Sequence, residues 1–168
     1  MHVDEVFTHL TALRHTRFTH RVSGPGVFLT FVETETVDEY RELLDHSLRQ
    51  CQHIHSTDSR PVIMAAEQDL PFWDSDLTFG HEESAVWVLL RLSVGDPHPI
   101  LMDVRRVPGV ATAHALVGPD DGIALSKVGG TSDLRRLMRG IQAVPGVSKT
   151  EFQLVIPTLV EESYVLLS

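Results

Sequence analysis

Several things are scarce in this chain, and each scarcity excludes something. There is one cysteine in 168 residues, Cys51. No internal disulfide can form, so a reducing, cytoplasmic setting is the expectation. Basic residues are outnumbered, with 14 Lys and Arg against 23 Asp and Glu and a formal charge of −9. Such a chain lacks the positive face that neutralises phosphates, which argues against nonspecific nucleic-acid binding by the chain alone. No apolar run approaches the length of a bilayer span. The opening Met1-His2-Val3-Asp4-Glu5 has neither the basic nor the apolar block of a secretion signal. There is no nucleotide-binding loop, no trustworthy Ser-His-Asp order and no firm zinc spacing. What is present is a globular composition, 42% hydrophobic, sized for one ordinary domain or two small ones. Histidine is abundant: there are ten, eight of them at or before His81.

The stretch from Val86 to Pro157 reads strand, helix, strand, strand, helix, strand, one complete split βαβ unit. Val86 to Ser93 is apolar and β-prone. Asp96-Pro97 opens a helix with Ile100, Leu101, Val104 and Val107 on one face, and Pro108-Gly109 stops it. Val110 to Val117 and Ile123 to Val128 form a hairpin around the turn Gly118-Pro119-Asp120-Asp121-Gly122. Thr131 or Ser132 is the expected cap of a helix carrying Leu134, Leu137, Met138, Ile141 and Val144. Pro145-Gly146 ends it before a last strand, Val147 to Ile156.

The first half follows a related plan. Residues 3 to 13 read as an amphipathic helix, Arg17 to Val22 and Val27 to Val32 as strands around Ser23-Gly24-Pro25-Gly26. Thr36 and Glu39 make a capping-box signature for a helix with Val37, Tyr40, Leu44, Leu48 and Cys51 on one stripe. A strand near Arg60 to Ala66 follows, and an acidic, proline-containing stretch then reads as a linker. His20-x-x-x-Gly24-Pro25 recurs 94 residues later as His114-x-x-x-Gly118-Pro119. The expectation is an α+β chain of two tandem ferredoxin-like (βαββαβ) units forming a dimeric α/β-barrel-like pseudo-dimer. Residues 1–67 would be the first, its opening strand missing, 68–85 the linker and 86–168 the second.

The second half resembles the effector-binding domain of the Lrp/AsnC family. The residues that carry this are Val107-Pro108-Gly109-Val110, Gly118-Pro119-Asp120-Asp121, Thr131-Ser132-Asp133-Leu134, Val144-Pro145-Gly146-Val147 and Thr150 to Val155. The resemblance covers about 70 residues. It implies an α/β sandwich that dimerises sheet against sheet, and a small effector, often an amino acid, held near the hairpin turns where subunits meet. Family members usually carry an N-terminal helix-turn-helix. Here that region reads helix-strand-strand-helix-strand with no basic recognition helix, so the expectation is a ligand domain acting without its own DNA-binding domain.

Candidate sites follow. Amides in the Gly118 turn suit a carboxylate and the adjacent Asp120 and Asp121 an amino group, together a zwitterion; an ordinary hairpin turn needs the same residues for its dihedrals. Gly118 and Asp121 match family positions, and Thr150 joins them from the resembling last strand. His20 and His114 are the candidates for acid–base, metal or haem chemistry, against the plainer reading of two packed, hydrogen-bonded histidines. Cys51, His53 and His55 alternate and would share a face if extended, a weak metal candidate; Cys51 otherwise packs at a helix end. Phe72 and Trp73 in the linker need cover, as a pin or a lid. His81-Glu82-Glu83 and the arginines at 105, 106, 135, 136 and 139 read as solvated charge.

Two roles from different classes fit. One is a binder of a small, amino-acid-like metabolite, working through protein partners or homo-oligomer assembly, with no membrane or direct nucleic-acid contact. The other is an enzyme with a cavity between the repeats, by analogy with siroheme decarboxylases or dimeric α/β-barrel oxygenases. The cofactor is left open in both.

Overall fold

The computed structural model describes residues 2–23, 28–63 and 83–156. They fall into two compact units, one of residues up to Asp58 with Ile156, the other from Ser59 to Val155. Gly24-Pro25-Gly26, most of the expected linker, Phe72, Trp73, His81 and Glu82 lie outside the described residues.

In the second unit, β3 (Val62–Ile63), β4 (Ser84–Leu92), β5 (Val110–Leu116), β6 (Gly122–Val128) and β7 (Val147–Ile156) pair antiparallel in the order β7-β4-β6-β5-β3. The order of the last four strands is that of a split βαβ unit, with β6 inserted between β4 and β5. Two helices, α3 (Pro97–Arg105) and α4 (Thr131–Gln142), complete it. Alternation along β4 sends Val86, Val88 and Leu90 to the helix side, where they meet Leu101, Val104, Leu137, Ile141 and Val144 in one core. The opposite side of the sheet is also out of water: Trp87 pairs with Leu125, His114 with Ile123 and Thr112 with Leu125, and all five are buried.

Local chemistry explains the boundaries. Asp96 caps α3 by accepting from the His98 amide at 3.0 Å, and Pro97 starts the helix with its preset φ. The expected cap of α4 shifts by one residue. Gly130 holds that position without a side-chain bond, Thr131 is already helical, and the Asp133 carboxylate accepts from the Gly129 amide at 3.3 Å. Each Pro-Gly stop works through a left-handed glycine, Gly109 at φ 96° and Gly146 at φ 94°. Of the early strand expected near Arg60 to Ala66, Val62–Ile63 is described, with Pro61, which lacks an amide donor, just before it; residues 64–66 lie outside the described residues.

The first unit begins with α1 (Val3–Ala12), which buries Val6, Phe7 and Leu10. Hairpin strands β1 (Thr16–Val22) and β2 (Phe28–Val32) pair His20 with Leu29 and Phe18 with Phe31. The capping box forms as its spacing predicts. Thr36 accepts from the Glu39 amide, and the Glu39 carboxylate accepts from the Thr36 amide at 3.3 Å. The helix that follows is not the uniform one expected. α2 (Val37–Glu42) passes into a π-helical turn over Leu43–Leu48. A π turn accommodates an extra residue, so the three-four spacing falls out of phase. Leu43, not the expected stripe, is buried there, and Val37 is 67% exposed.

Candidate functional site

The β5–β6 turn is built from charge and glycine. Gly118 adopts φ 149°, and the methylene stem of Arg60 lies 3.6 Å from where a Cβ on Gly118 would sit. Pro61 lends its carbonyl to the Val117 amide at 3.0 Å, so residues 60 and 61 run beside the turn. The Asp120 carboxylate is shared. Arg60 Nη1 donates to Oδ2, and Arg91 Nε stands 3.7 Å from Oδ1. Asp120 and Arg60 are mostly covered, whereas the Arg91 side chain is 51% exposed. Two guanidiniums thus bracket the one Asp120 carboxylate.

Asp121 does a different job. Its amide donates to the Leu90 carbonyl at 2.8 Å, its carbonyl accepts from the Leu116 amide at 3.0 Å, and its Oδ2 accepts from the Leu92 amide at 2.8 Å. The side chain thus continues the β4–β6 ladder past its last residue pair, Leu90 and Gly122. The sequence reading has both carboxylates facing a ligand. The structure gives Asp120 to arginine and one Asp121 oxygen to the backbone, and it leaves the half-exposed Arg91 guanidinium at the same corner. Arg60 and Arg91 carry no local signal of this, because they lie 60 and 29 residues from Asp120 in the chain.

Thr150 stands across β4 from the turn. Gly122, Leu90 and Thr150 form one row through the β6–β4 and β4–β7 ladders, placing Thr150 about 10 Å from Gly122 at the usual strand spacing. Its hydroxyl accepts from Gln142 Nε2 at 3.3 Å on the helix side. Gly118, Asp120 and Asp121 are therefore brought together, and Thr150 is a neighbour at the same end of the sheet.

The two candidate histidines are each drawn out of water in their own unit. His114, on β5, is 2% exposed; burial pushes its imidazole down to about 4, and Arg105 adds to the shift. His20, on β1, stacks on Phe18 with ring centroids 4.9 Å apart, and burial lowers it likewise to about 4. An imidazole that stays neutral down to that pH does not donate a proton near neutrality.

The alternating Cys51, His53 and His55 do not share an extended face. The Ile54 amide donates to the Cys51 carbonyl at 3.2 Å, closing a turn after the π-helical segment. His53 faces Glu5 instead, and His55 is exposed. A period-two expectation fails wherever a helix end unwinds through a turn.

A family model, the Lrp/AsnC ligand binding domain, matches residues 85–165. Among solved structures, a Thermus thermophilus protein is similar at 25% identity and TM-score 0.42, covering 45% of this chain and 95% of its own. A hypothetical protein of Pyrococcus horikoshii is similar at 18% identity and TM-score 0.41, covering 45% and 93%. A transcriptional regulator of Neisseria meningitidis in complex with L-Met is similar at 13% identity and TM-score 0.41, covering 73% and 71%. No curated protein matches the chain.

Proposed function

We propose, from the match of residues 85–165 to the Lrp/AsnC ligand binding domain, that the protein senses a small polar metabolite, an amino acid or related acid, and that these residues do so without reading DNA themselves. The match of that family to the segment bearing the β5–β6 turn is the observation that carries this reading. The turn's chemistry supports it. Arg91, with Arg60 behind it, offers a cation to a ligand carboxylate, and the Asp121 carboxylate marks where an ammonium would approach. The acidic balance, a formal charge of −9, argues against nonspecific nucleic-acid binding by this chain alone. The tandem plan expected from the sequence belongs to the same reading, supported by the recurrence of a hairpin followed by a helix in each unit.

Thermal stabilisation by a panel of amino acids and their oxo-acids tests it, because a ligand that binds only the folded chain raises Tm. At least one compound is expected to do so in the wild type. The rise should vanish in Asp121→Ala and Arg91→Ala, each judged against its own ligand-free Tm. A panel that never moves the wild-type Tm ends the sensor reading.

A further inference from the structure

A second cluster of donor groups belongs to the first unit. His2 and Glu5 stand three residues apart at the start of α1, on one face of its first turn. The Val6 amide donates to the His2 carbonyl at 3.1 Å, which fixes His2 at the head of the helix. The third member comes from residue 53. His9 Nε2 reaches the Ser47 carbonyl at 2.7 Å and ties α1 to the π-helical turn. Six residues on, His53 is presented to α1 by the Cys51–Ile54 turn. His2 Nδ1 and His53 Nε2 then meet the same oxygen, Glu5 Oε2, at 3.1 and 3.2 Å. The two imidazoles stack with centroids 3.7 Å apart and planes 3° from parallel. All three donor atoms lie within 4.8 Å of one another.

We propose that His2, Glu5 and His53 bind a divalent late first-row transition ion of the zinc class. The distances suit it. Bonds of about 2.0–2.1 Å to a tetrahedral centre place donor atoms about 3.3 Å apart. Both nitrogen–oxygen separations are within a few tenths of that; because imidazole ligates through an in-plane lone pair, the stacked rings must also tilt out of their parallel planes to converge on one ion. The donor set selects the ion class: two imidazoles disfavour calcium and magnesium, which take oxygen ligands. His2 and Glu5 are both more than half exposed, which leaves water free to complete the shell. Nothing in the proposed ligand site is used, so the two proposals stand or fall separately. The bound ion would link residues 2 and 5 to residue 53 and thereby stabilise the first unit.

The test uses the full chain from Met1, with no polyhistidine tag. Zn²⁺ is titrated by calorimetry, and Co²⁺ serves as a spectroscopic probe. One saturable equivalent per chain is expected, with a Zn²⁺-dependent rise in Tm. His53→Ala and His2→Ala should each weaken that step about tenfold or more, and His2→Ala, exposed at the chain start, covers the case in which His53→Ala fails to fold. His46→Ala and His55→Ala, on exposed neighbours, should leave it unchanged. The proposal is overturned if no one-to-one step exists, if the step survives both His2→Ala and His53→Ala, or if Co²⁺ gives a thiolate charge-transfer band assigning Cys51.

Discussion

The two units use the same local grammar and reach different ends. Each has a strand hairpin followed by a helix. In the second, α4 runs regularly for twelve residues and sets Leu137 and Ile141 into the core. In the first, α2 lasts six residues before the π-helical turn and buries no side chain of its own. The second unit has β4, whose Val86, Val88 and Leu90 share one core with residues of α3, β5, β6 and α4. The described residues of the first unit contain no such strand, and every residue of β2 is half-buried. A hairpin and a capped helix are thus set by neighbours in sequence, while a core is set by a central strand that both its faces can cover.

The sharpest way to break that contrast is to hollow out β4. Leu90→Ala should cost about 2 to 5 kcal/mol in urea unfolding, and Leu43→Ala in the first unit clearly less. Equal losses would mean the two cores are equivalent. Acid comes next. His114 falls from the ordinary 6.5 to about 4 on folding, so the unfolded chain takes up its proton first as pH drops. Stability from this group is whole above pH 6.5 and is lost between 6.5 and 4, by roughly 3 kcal/mol in all. His20 acts in the same direction. Urea midpoints at pH 7 and pH 4.5 should differ accordingly, and His114→Leu should shrink the difference. Gly146→Ala should cost about 1 to 3 kcal/mol, because φ is 94° and a Cβ would stand 2.5 Å from Ile100 Cδ1. The smallest change expected is Thr36→Ala, about 1 kcal/mol through loss of the capping box. It should speed hydrogen exchange of the α2 amides and leave those of α4 untouched.

Much of the second unit was legible because its signals are local and redundant. Alternation along Val86 to Leu92, the Asp96-Pro97 start and both Pro-Gly stops each mark one boundary, and they agree with one another. The π-helical turn was not legible: Val37, Tyr40, Leu44 and Leu48 fit a regular helix by spacing, and no residue type announces an extra residue in a turn. The candidate site divides in the same way. Gly118, Asp120 and Asp121 stand out as a turn in the sequence, but their charge balance depends on Arg60 and Arg91, whose proximity only the strand pairing creates. In the sequence His53 stands out beside Cys51 and His55. Its partners, His2 and Glu5, lie some fifty residues away, beyond any spacing rule.

The π-helical turn also acts as a protractor. One residue more or less in a helix swings everything downstream by about 100°. Deleting a single residue between Leu43 and Leu48 would let a plain α-helix continue, yet the chain would leave it facing another way. Ser47 would rotate off His9, and His53 would be aimed away from Glu5. The irregularity is therefore a direction-setting device, and an apparent repair of the helix would cost the first unit the meeting of its two ends.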